Sequence, residues 1–354
     1  MKFIFWQNII SIHQSAFIKA LAEKYNVTLV VEQVLDEQRK TESWNVPDMG
    51  KSKIVLSPSS EQIDEMISDM SVHHAFSGID AYPMVYKAFK LAVNKGCKIS
   101  IIAEPYDWTG IKGKLRWLKY TLLFIKYSRY IDHFFTTGSY GIKCFHQSGL
   151  PLRKLHQWGY FTESETISSS TVNQFPKVIF VGKIDTRKNI LSLVDALNGL
   201  SELYELAYII GTGPLVNELQ LAIEYNSKIH YLGSLSNDKV NQLISKCDLL
   251  VLPSLFDGWG AVINEALSQG TRVLCSDMCG ACILLDGNIR GGKVNLNDRS
   301  LKQELKYWLL KGSLSLDDRN QIKMWASTHI SGKVAAEYLV KVINGESVEA
   351  PWLN

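Results

Sequence analysis

The sequence predicts an α/β protein of two Rossmann-like lobes facing a central cleft. Three observations carry that expectation. Short apolar runs alternate with amphipathic stretches in two successive series. A Ser/Thr-rich interruption without apolar periodicity separates the series. The length of 354 residues, 46% hydrophobic and 21% charged, suits two domains of ordinary size better than one small core.

Taken in order, the first series places strands over 2–6, 27–31, 74–77, 98–103 and 133–137, with helical patterns between them. Residues 162–173, rich in Ser and Thr, read as the interdomain linker, so the first lobe is set at 1–165. The second series, over 174–330, places strands at 178–181, 207–210, 229–232, 249–252 and 272–275, mostly separated by stretches long enough for parallel crossovers. A last helical pattern over 333–343, within the tail 331–354, is expected to pack back on the first lobe. Open sheets of this kind bind ligands beyond the carboxyl ends of their strands, so chemistry is expected in the loops after 103, 181, 210, 232 and 252.

Composition excludes several classes. With 9 Pro and 24 Gly and no repeat, the chain is neither disordered nor collagen-like nor a solenoid. A net charge of +3 argues against a surface built for nucleic acid. Six cysteines are too sparse for a disulfide scaffold. The opening apolar run turns polar at Gln7 and Asn8, so no secretory core is expected there. No apolar run approaches the roughly 20 residues that span a bilayer. These readings place the chain in the cytoplasm, peripheral to a membrane at most.

The most informative segment runs from Leu252 to Gly270. A strand ends at Pro253, a glycine-bearing turn follows, and 261–269 reads as a short helix stopped by Gly270. Asp257 stands on the turn and Glu265 in the helix. Carboxylates accept hydrogen bonds from sugar and ribose hydroxyls, and glycines let backbone approach a ligand closely; the plainer alternative is a capping Asp with a solvated Glu. After 178–181 come Gly182 and Lys183, then Arg187 and Lys188, cations suited to diphosphate oxygens or simply solvated. Gly211-Thr212-Gly213-Pro214 lacks the third glycine of a dinucleotide fingerprint and the lysine of a P-loop, which leaves a nucleotide-facing turn and a purely structural one equally open.

Taken together, Gly182-Lys183 with Lys188-Asn189, Gly211 to Pro214, Tyr231-Leu232-Gly233, and Leu252-Pro253-Ser254 with the Asp257 to Glu265 segment resemble the nucleotide-sugar lobe of retaining GT-B glycosyltransferases of family four. The resemblance covers 178–270; the first lobe shares only the strand rhythm. It implies a nucleotide diphosphate sugar as donor substrate, with no resident cofactor or metal required. It implies that Glu265 holds the ribose hydroxyls, Asp257 and the backbone of Gly258, Trp259, Gly260 and Ala261 the donor sugar, and Lys183 with Lys188 the diphosphate, with Gly182, Gly211 and Gly213 lining the nucleotide. Two residues depart from the family: Asp257 where Glu is usual and Lys183 where Arg is usual. Both swaps keep the charge, while Asp is shorter and Lys lacks the guanidinium fork.

In the first lobe, residues 7–14 contain no glycine where the family often has a glycine-rich loop. His13 and Asp107 are candidate substrate contacts, and Glu104, closing the 98–103 strand, is a candidate for orienting the acceptor hydroxyl; a structural histidine and an ordinary strand-end turn are the alternatives. From 111 to 131 there are six cations, Lys112, Lys114, Arg116, Lys119, Lys126 and Arg129, no acid, and interleaved aromatics. Such a helix can lie on an anionic membrane surface and bring the lobe to a lipid-linked sugar; an ordinary half-buried helix is the alternative. Residues 1–165 hold 20 Lys and Arg against 16 Asp and Glu, and the remainder 18 against 19, so the positive excess belongs to the first lobe. Cys275, Cys279 and Cys282 match an iron-sulfur spacing but read as small apolar residues of a glycine turn, with no fourth zinc ligand evident.

The leading expectation is a retaining hexosyltransferase acting from a nucleotide diphosphate sugar on a hydroxyl of a lipid-linked or cell-surface glycan precursor. A nucleotide-sugar epimerase of the same fold, or a non-catalytic nucleotide-sugar binding subunit, are the rival readings.

Overall fold

The structure is a computed structural model describing residues 1–35, 46–161, 174–297 and 300–353. The expected linker over 162–173 and the lobe boundary at 165 lie outside the described residues. The chain divides into two compact units, one holding the described residues up to 161 together with those from Ser331 onward, the other those from 174 to Ile330.

The first unit contains strands β1 (Lys2–Gln7), β2 (Asn26–Val31), β3 (Lys53–Leu56), β4 (Val72–Ser77), β5 (Lys98–Ala103), β6 (His133–Thr137) and β7 (Leu155–Trp158). Its described helices are α1 (Ile12–Ala22), α2 (Ser60–Ser68), α3 (Pro83–Lys95), α4 (Gly110–Tyr127) and α5 (Gly141–Gln147). The strands form one parallel sheet in the order β3-β2-β1-β4-β5-β6-β7. Local chemistry sets the helix ends. Ser59 and Gln62 make a capping box before α2, and Pro83 opens α3, which Gly96 closes in the left-handed region at φ 71°.

The second unit contains β8 (Lys177–Val181), β9 (Leu206–Ile210), β10 (Ile229–Tyr231), β11 (Leu249–Leu252), β12 (Arg272–Ser276) and β13 (Gly291–Val294). With them come α6 (Ile190–Asn198), α7 (Val216–Ile223), α8 (Asn237–Lys246), α9 (Val262–Ser268), α10 (Leu301–Leu310) and α11 (Leu316–His329). This sheet is also parallel, in the order β10-β9-β8-β11-β12-β13. Both units therefore share the doubly wound order that reverses direction at its first strand, between β1 and β4 and between β8 and β11. Strand β11 is buried along its whole length, as a parallel strand covered on both faces must be. A buried Arg319–Asp248 pair at 2.7 Å ties α11 to the base of this sheet, where Asp248 also accepts from the amides of Lys177 and Leu314.

Three strands escape the sequence pattern: Lys53–Leu56, Leu155–Trp158 and Gly291–Val294. The first is an edge strand with mostly exposed side chains, and the last carries two glycines, so neither shows the buried apolar run that marks the others.

The last helix, α12 (Gly332–Ile343), lies against α1, and the following turn buries Trp352 beside Trp158 and Tyr338. The crossing is close because Gly332 has no side chain: a Cβ there would stand 2.3 Å from the carbonyl oxygen of Ala16. Gly332→Val is thus expected to destabilise the first unit by about 2 kcal/mol or more through overpacking, read as a lower denaturant midpoint at unchanged slope.

Candidate functional site

In the second unit the loops after β8 and β11 flank the point where strand order reverses, the position at which such sheets bind ligands. The loop after β8 begins at Gly182 and exposes Lys183. Asp185 accepts from the amide of Lys188 at 2.9 Å, and Asn189 turns the chain at φ 55° into α6. This turn directs Lys188 toward the loop after β11, where its ammonium pairs with the carboxylate of Asp257. Both partners are largely buried, with side-chain exposures of 11% and 13%. Arg187, the third cation of the loop, donates to the carbonyl of Phe256 at 3.2 Å, and its own carbonyl accepts from Leu255 at 2.8 Å.

The Asp257 turn is laced on its other side to the segment after β12. The Asp257 amide donates to Met278 at 3.0 Å, Gly280 to Asp257 at 2.9 Å, and Ala281 to Trp259 at 2.8 Å. Cys279 is the bridge partner of Asp257, and its thiol donates to the carbonyl of Leu252 at 3.5 Å. Cys275, Cys279 and Cys282 are buried thiols outside any disulfide, and among the described residues no group of three or more His, Cys, Asp or Glu is placed to hold a metal. Sequence reasoning overlooked this buttress, whose signal was the small-residue run Cys279-Gly280-Ala281.

Gly260, at φ +90°, turns the chain into α9 with Asp257 Oδ2 3.7 Å from the position its Cβ would take. The Trp259 ring is buried and its Nε1 donates to Asn264 at 2.7 Å, which fixes the ring against the start of α9. Glu265, on the first turn of α9, is 8% exposed, and burial alone pushes its carboxyl up to about 7. A buried acid held near neutrality at the start of a helix that follows a strand-end loop is a candidate to accept from a hydroxyl-bearing ligand.

Gly211 and Gly213 have a packing reason. A Cβ on Gly211 would lie 1.9 Å from the Gly182 carbonyl oxygen, and one on Gly213 2.3 Å from that of Ile184. Between them Ile184 donates to Thr212 at 2.8 Å and Gly182 to Ile210 at 3.0 Å, so the two loops are zipped backbone to backbone. Gly211→Ala, strained also by φ +137°, is expected to part these loops, lowering stability by about 2 kcal/mol and weakening nucleotide binding through displaced lysines. Thermal melts with and without nucleotide check both effects.

In the first unit, the His13 ring stacks on Tyr160 with centroids 5.0 Å apart and planes 12° apart, and the Tyr160 hydroxyl donates to Glu104. Tyr160 thus joins two residues singled out separately in the sequence. Asp107 has other partners: its Oδ1 accepts from the amide and hydroxyl of Thr109 at 2.9 and 2.7 Å ahead of α4, and Arg116 stands 3.9 Å from its Oδ2.

Helix α4 turns an apolar stripe outward. Ile111, Leu115, Leu118, Leu122 and Ile125 recur at spacings of four and three, and all are exposed, Ile111 at 80% and Ile125 at 78%. Only Gly113, Phe124 and Tyr127 are buried. Of the flanking cations, Lys119 pairs with Asp80 at 3.0 Å and Arg116 with Asp107, which lowers the local charge below the count of basic residues. No helix among the described residues is long and apolar enough to cross a membrane.

The second unit matches a family model described as "Glycosyl transferases group 1" over residues 163–324. The match is confined to that segment, 162 of the 354 residues. An uncharacterized glycosyltransferase of Methanocaldococcus jannaschii, MJ1607, is 26% identical over 32% of this chain and 30% of its own length. A Campylobacter jejuni N-acetylgalactosamine-N,N'-diacetylbacillosaminyl-diphospho-undecaprenol 4-alpha-N-acetylgalactosaminyltransferase is 29% identical over 46% of this chain and 45% of its own. The chain thus aligns with less than half the length of these two relatives. Among solved structures, Anabaena HepE in complex with UDP and glucose superimposes with a TM-score of 0.70 at 13% identity, covering 97% of this chain and 99% of that one. At that identity the likeness speaks to fold, and the fold is GT-B: two Rossmann-like lobes, each a parallel sheet flanked by helices.

Proposed function

We propose that the chain is a glycosyltransferase that moves a sugar from a nucleotide diphosphate to a hydroxyl of a lipid-linked glycan precursor, with retention, while docked on an anionic membrane. The observation that carries the donor half is the Lys188–Asp257 pair, which joins the loops after β8 and β11 at the reversal point of the second sheet, with Lys183 exposed on the first loop and Glu265 buried at the start of the helix after the second. Glu265 accepts from the ribose hydroxyls, Asp257 from the sugar, and Lys183 and Lys188 meet the diphosphate. As the bond from the anomeric carbon to the phosphate oxygen breaks, negative charge grows on the leaving diphosphate, where two ammonium groups stabilise it. The acceptor oxygen bonds to the same face of that carbon, and its proton passes to the departing phosphate oxygen. That route needs no side-chain nucleophile.

A lipid-linked acceptor is supported by the outward apolar stripe on α4, flanked by Lys112, Lys114 and Lys126, and by the Campylobacter relative, which is named for a diphospho-undecaprenol substrate. In the first unit, His13, Tyr160 and Glu104 are the groups proposed to orient the acceptor hydroxyl.

Incubating the protein with labelled nucleotide sugars, with and without bacterial lipid extract, tests this reading. The expected result is transfer of label to lipid that requires the extract. Donor conversion without extract indicates the epimerase, and stabilisation by donor without turnover indicates the binding subunit. Leu118→Glu/Leu122→Glu is expected to abolish sedimentation with phosphatidylglycerol vesicles at low salt; sedimentation unchanged from wild type rules out docking through α4.

A further inference from the structure

Between the start of α4 and α5, at the carboxyl ends of β5 and β6, the first unit has a cavity of about 380 Å³. Its walls are Tyr106, Trp108, Trp117 and Tyr140, its polar lining includes Lys114 and Lys143, and no acid among the described residues lines it. The aromatic walls are fixed in place. Trp108 and Tyr140 meet with centroids 4.9 Å apart, Tyr106 stacks on Tyr120 at 5.0 Å with its hydroxyl 2.7 Å from Ser148, and Trp117 Nε1 donates to Gln147 at 2.9 Å. Gly113 lets α4 press on this loop, since a Cβ there would lie 2.0 Å from the Trp108 carbonyl carbon.

Lys114 and Lys143 form no ion pair with a described residue, unlike their neighbours Arg116 and Lys119, which have carboxylate partners. Two ammonium groups in a lining without a carboxylate favour an anion. Lys114 and Trp117 of the cavity alternate along α4 with Ile111, Leu115 and Leu118 of the exposed stripe, so one helix carries both features. The ligand that satisfies both has an anionic head, a ring to lay on aromatic walls and an apolar tail. The volume falls within the range of about 300–1,000 Å³ usual for small-molecule sites.

We propose that this cavity holds the headgroup of a lipid diphosphate acceptor: Lys114 and Lys143 on the phosphate oxygens, the aromatic walls against the first sugar, and the lipid chain along the α4 stripe. The word acceptor rests on the glycosyltransferase reading; the binding site itself does not. No bond is made or broken here, so Lys114 and Lys143 are positioning residues.

Titration calorimetry on the full chain at low salt, with farnesyl diphosphate as the probe and farnesol and inorganic diphosphate as comparisons, tests the site. Wild type is expected to bind farnesyl diphosphate at least tenfold more tightly than either comparison. Lys114→Ala/Lys143→Ala should lose at least tenfold, Lys114→Arg/Lys143→Arg should retain binding, and both should keep the wild-type melting temperature and its response to UDP. The proposal is overturned if wild type fails to bind farnesyl diphosphate, if farnesol or inorganic diphosphate binds as tightly, or if the alanine pair binds like wild type. It is also overturned if the alanine pair loses only its sedimentation with phosphatidylglycerol vesicles, which would assign the lysines to bulk bilayer. Binding of farnesyl diphosphate by a wild type that UDP does not stabilise would sink the donor assignment and leave this site standing.

Discussion

Glu265→Gln is expected to raise the stability of the second unit above neutral pH and to weaken nucleotide-sugar binding about tenfold or more. The reasoning starts from burial. In the unfolded chain this carboxyl ionises near its ordinary 4.5, whereas in the folded unit burial holds it near 7. Between those values the folded state keeps a proton that the unfolded state has lost, so stability falls as pH rises through the window and the whole penalty is present above 7. At about pH 8 that penalty is about 3 kcal/mol. A neutral amide of the same shape removes it, and in a domain of this size the melting temperature should rise by several degrees. The same change removes a charged acceptor, and hydrogen bonds to charged groups contribute about 1.5–3 kcal/mol each, hence the loss of binding. Wild-type donor affinity should likewise fall as pH drops through 7, because binding that uses the ionised carboxylate must expel its proton. Thermal melts at about pH 6 and 8 with nucleotide titrations decide the matter: a variant no more stable than wild type at the higher pH would show that Glu265 is solvated in the folded protein.

Much of this candidate site was legible as positions in the fold because parallel sheets impose a simple rule. Once apolar runs such as 249–252 are identified as strands, the loop that follows each is where ligands gather, and Lys183, Lys188, Asp257 and Glu265 are found by reading those loops. Their partnership was not legible. Lys188 and Asp257 are 69 residues apart, and only the strand order, which places β8 beside β11, brings them together. The glycines of 211–213 were visible while their cause was not, since the atoms they make room for belong to the loop after β8. Tyr160 gave no signal at all: it matters because it stacks on His13 and bonds Glu104, a residue 56 positions away. The stripe on α4 is a middle case. Its three-four spacing is written in the sequence, but such spacing ordinarily marks a buried face. Here Gly113, Phe124 and Tyr127 take the core side, and five apolar residues are left in solvent.

The histidines of the first sheet were equally silent, and they carry the other large prediction: acid is expected to unfold the first unit between pH 6.5 and 4 while sparing the second. His73 and His74 stand near the amino end of β4, and His133 and His156 near those of β6 and β7 in the same sheet. His74 Nδ1 accepts from the Trp6 indole at 3.2 Å, so that nitrogen cannot carry a proton without losing the bond. His133 Nδ1 and His156 Nε2 lie 3.1 Å apart and share one proton, and His73 Nε2 meets Ser100 at 2.7 Å. Burial, reinforced by His133, His74 and Lys98, pushes His73 down to about 3. Burial holds His74 near 4 against the pull of Asp69, and burial with His133 holds His156 near 4. Burial also lowers His133, although Asp132 opposes it. Each group binds its proton more weakly folded than unfolded, so its contribution is intact above the ordinary value of 6.5 and is lost as pH falls toward the folded value. At about pH 4, His73, His74 and His156 each forfeit about 3 kcal/mol. Their sum reaches the usual total stability of a domain, about 5–15 kcal/mol. Glu265 works in the opposite direction, since its raised value makes the second unit gain stability as pH falls from 7 toward 4.5. Hydrogen exchange resolved by segment should therefore show protection lost over β1, β4, β5 and β6 before β8, β11 and β12 as the pH is lowered. His73→Gln/His156→Gln should move the acid midpoint down by about one unit. Coincident loss of protection in both units, or a midpoint that the pair leaves in place, would assign acid sensitivity to groups other than these histidines.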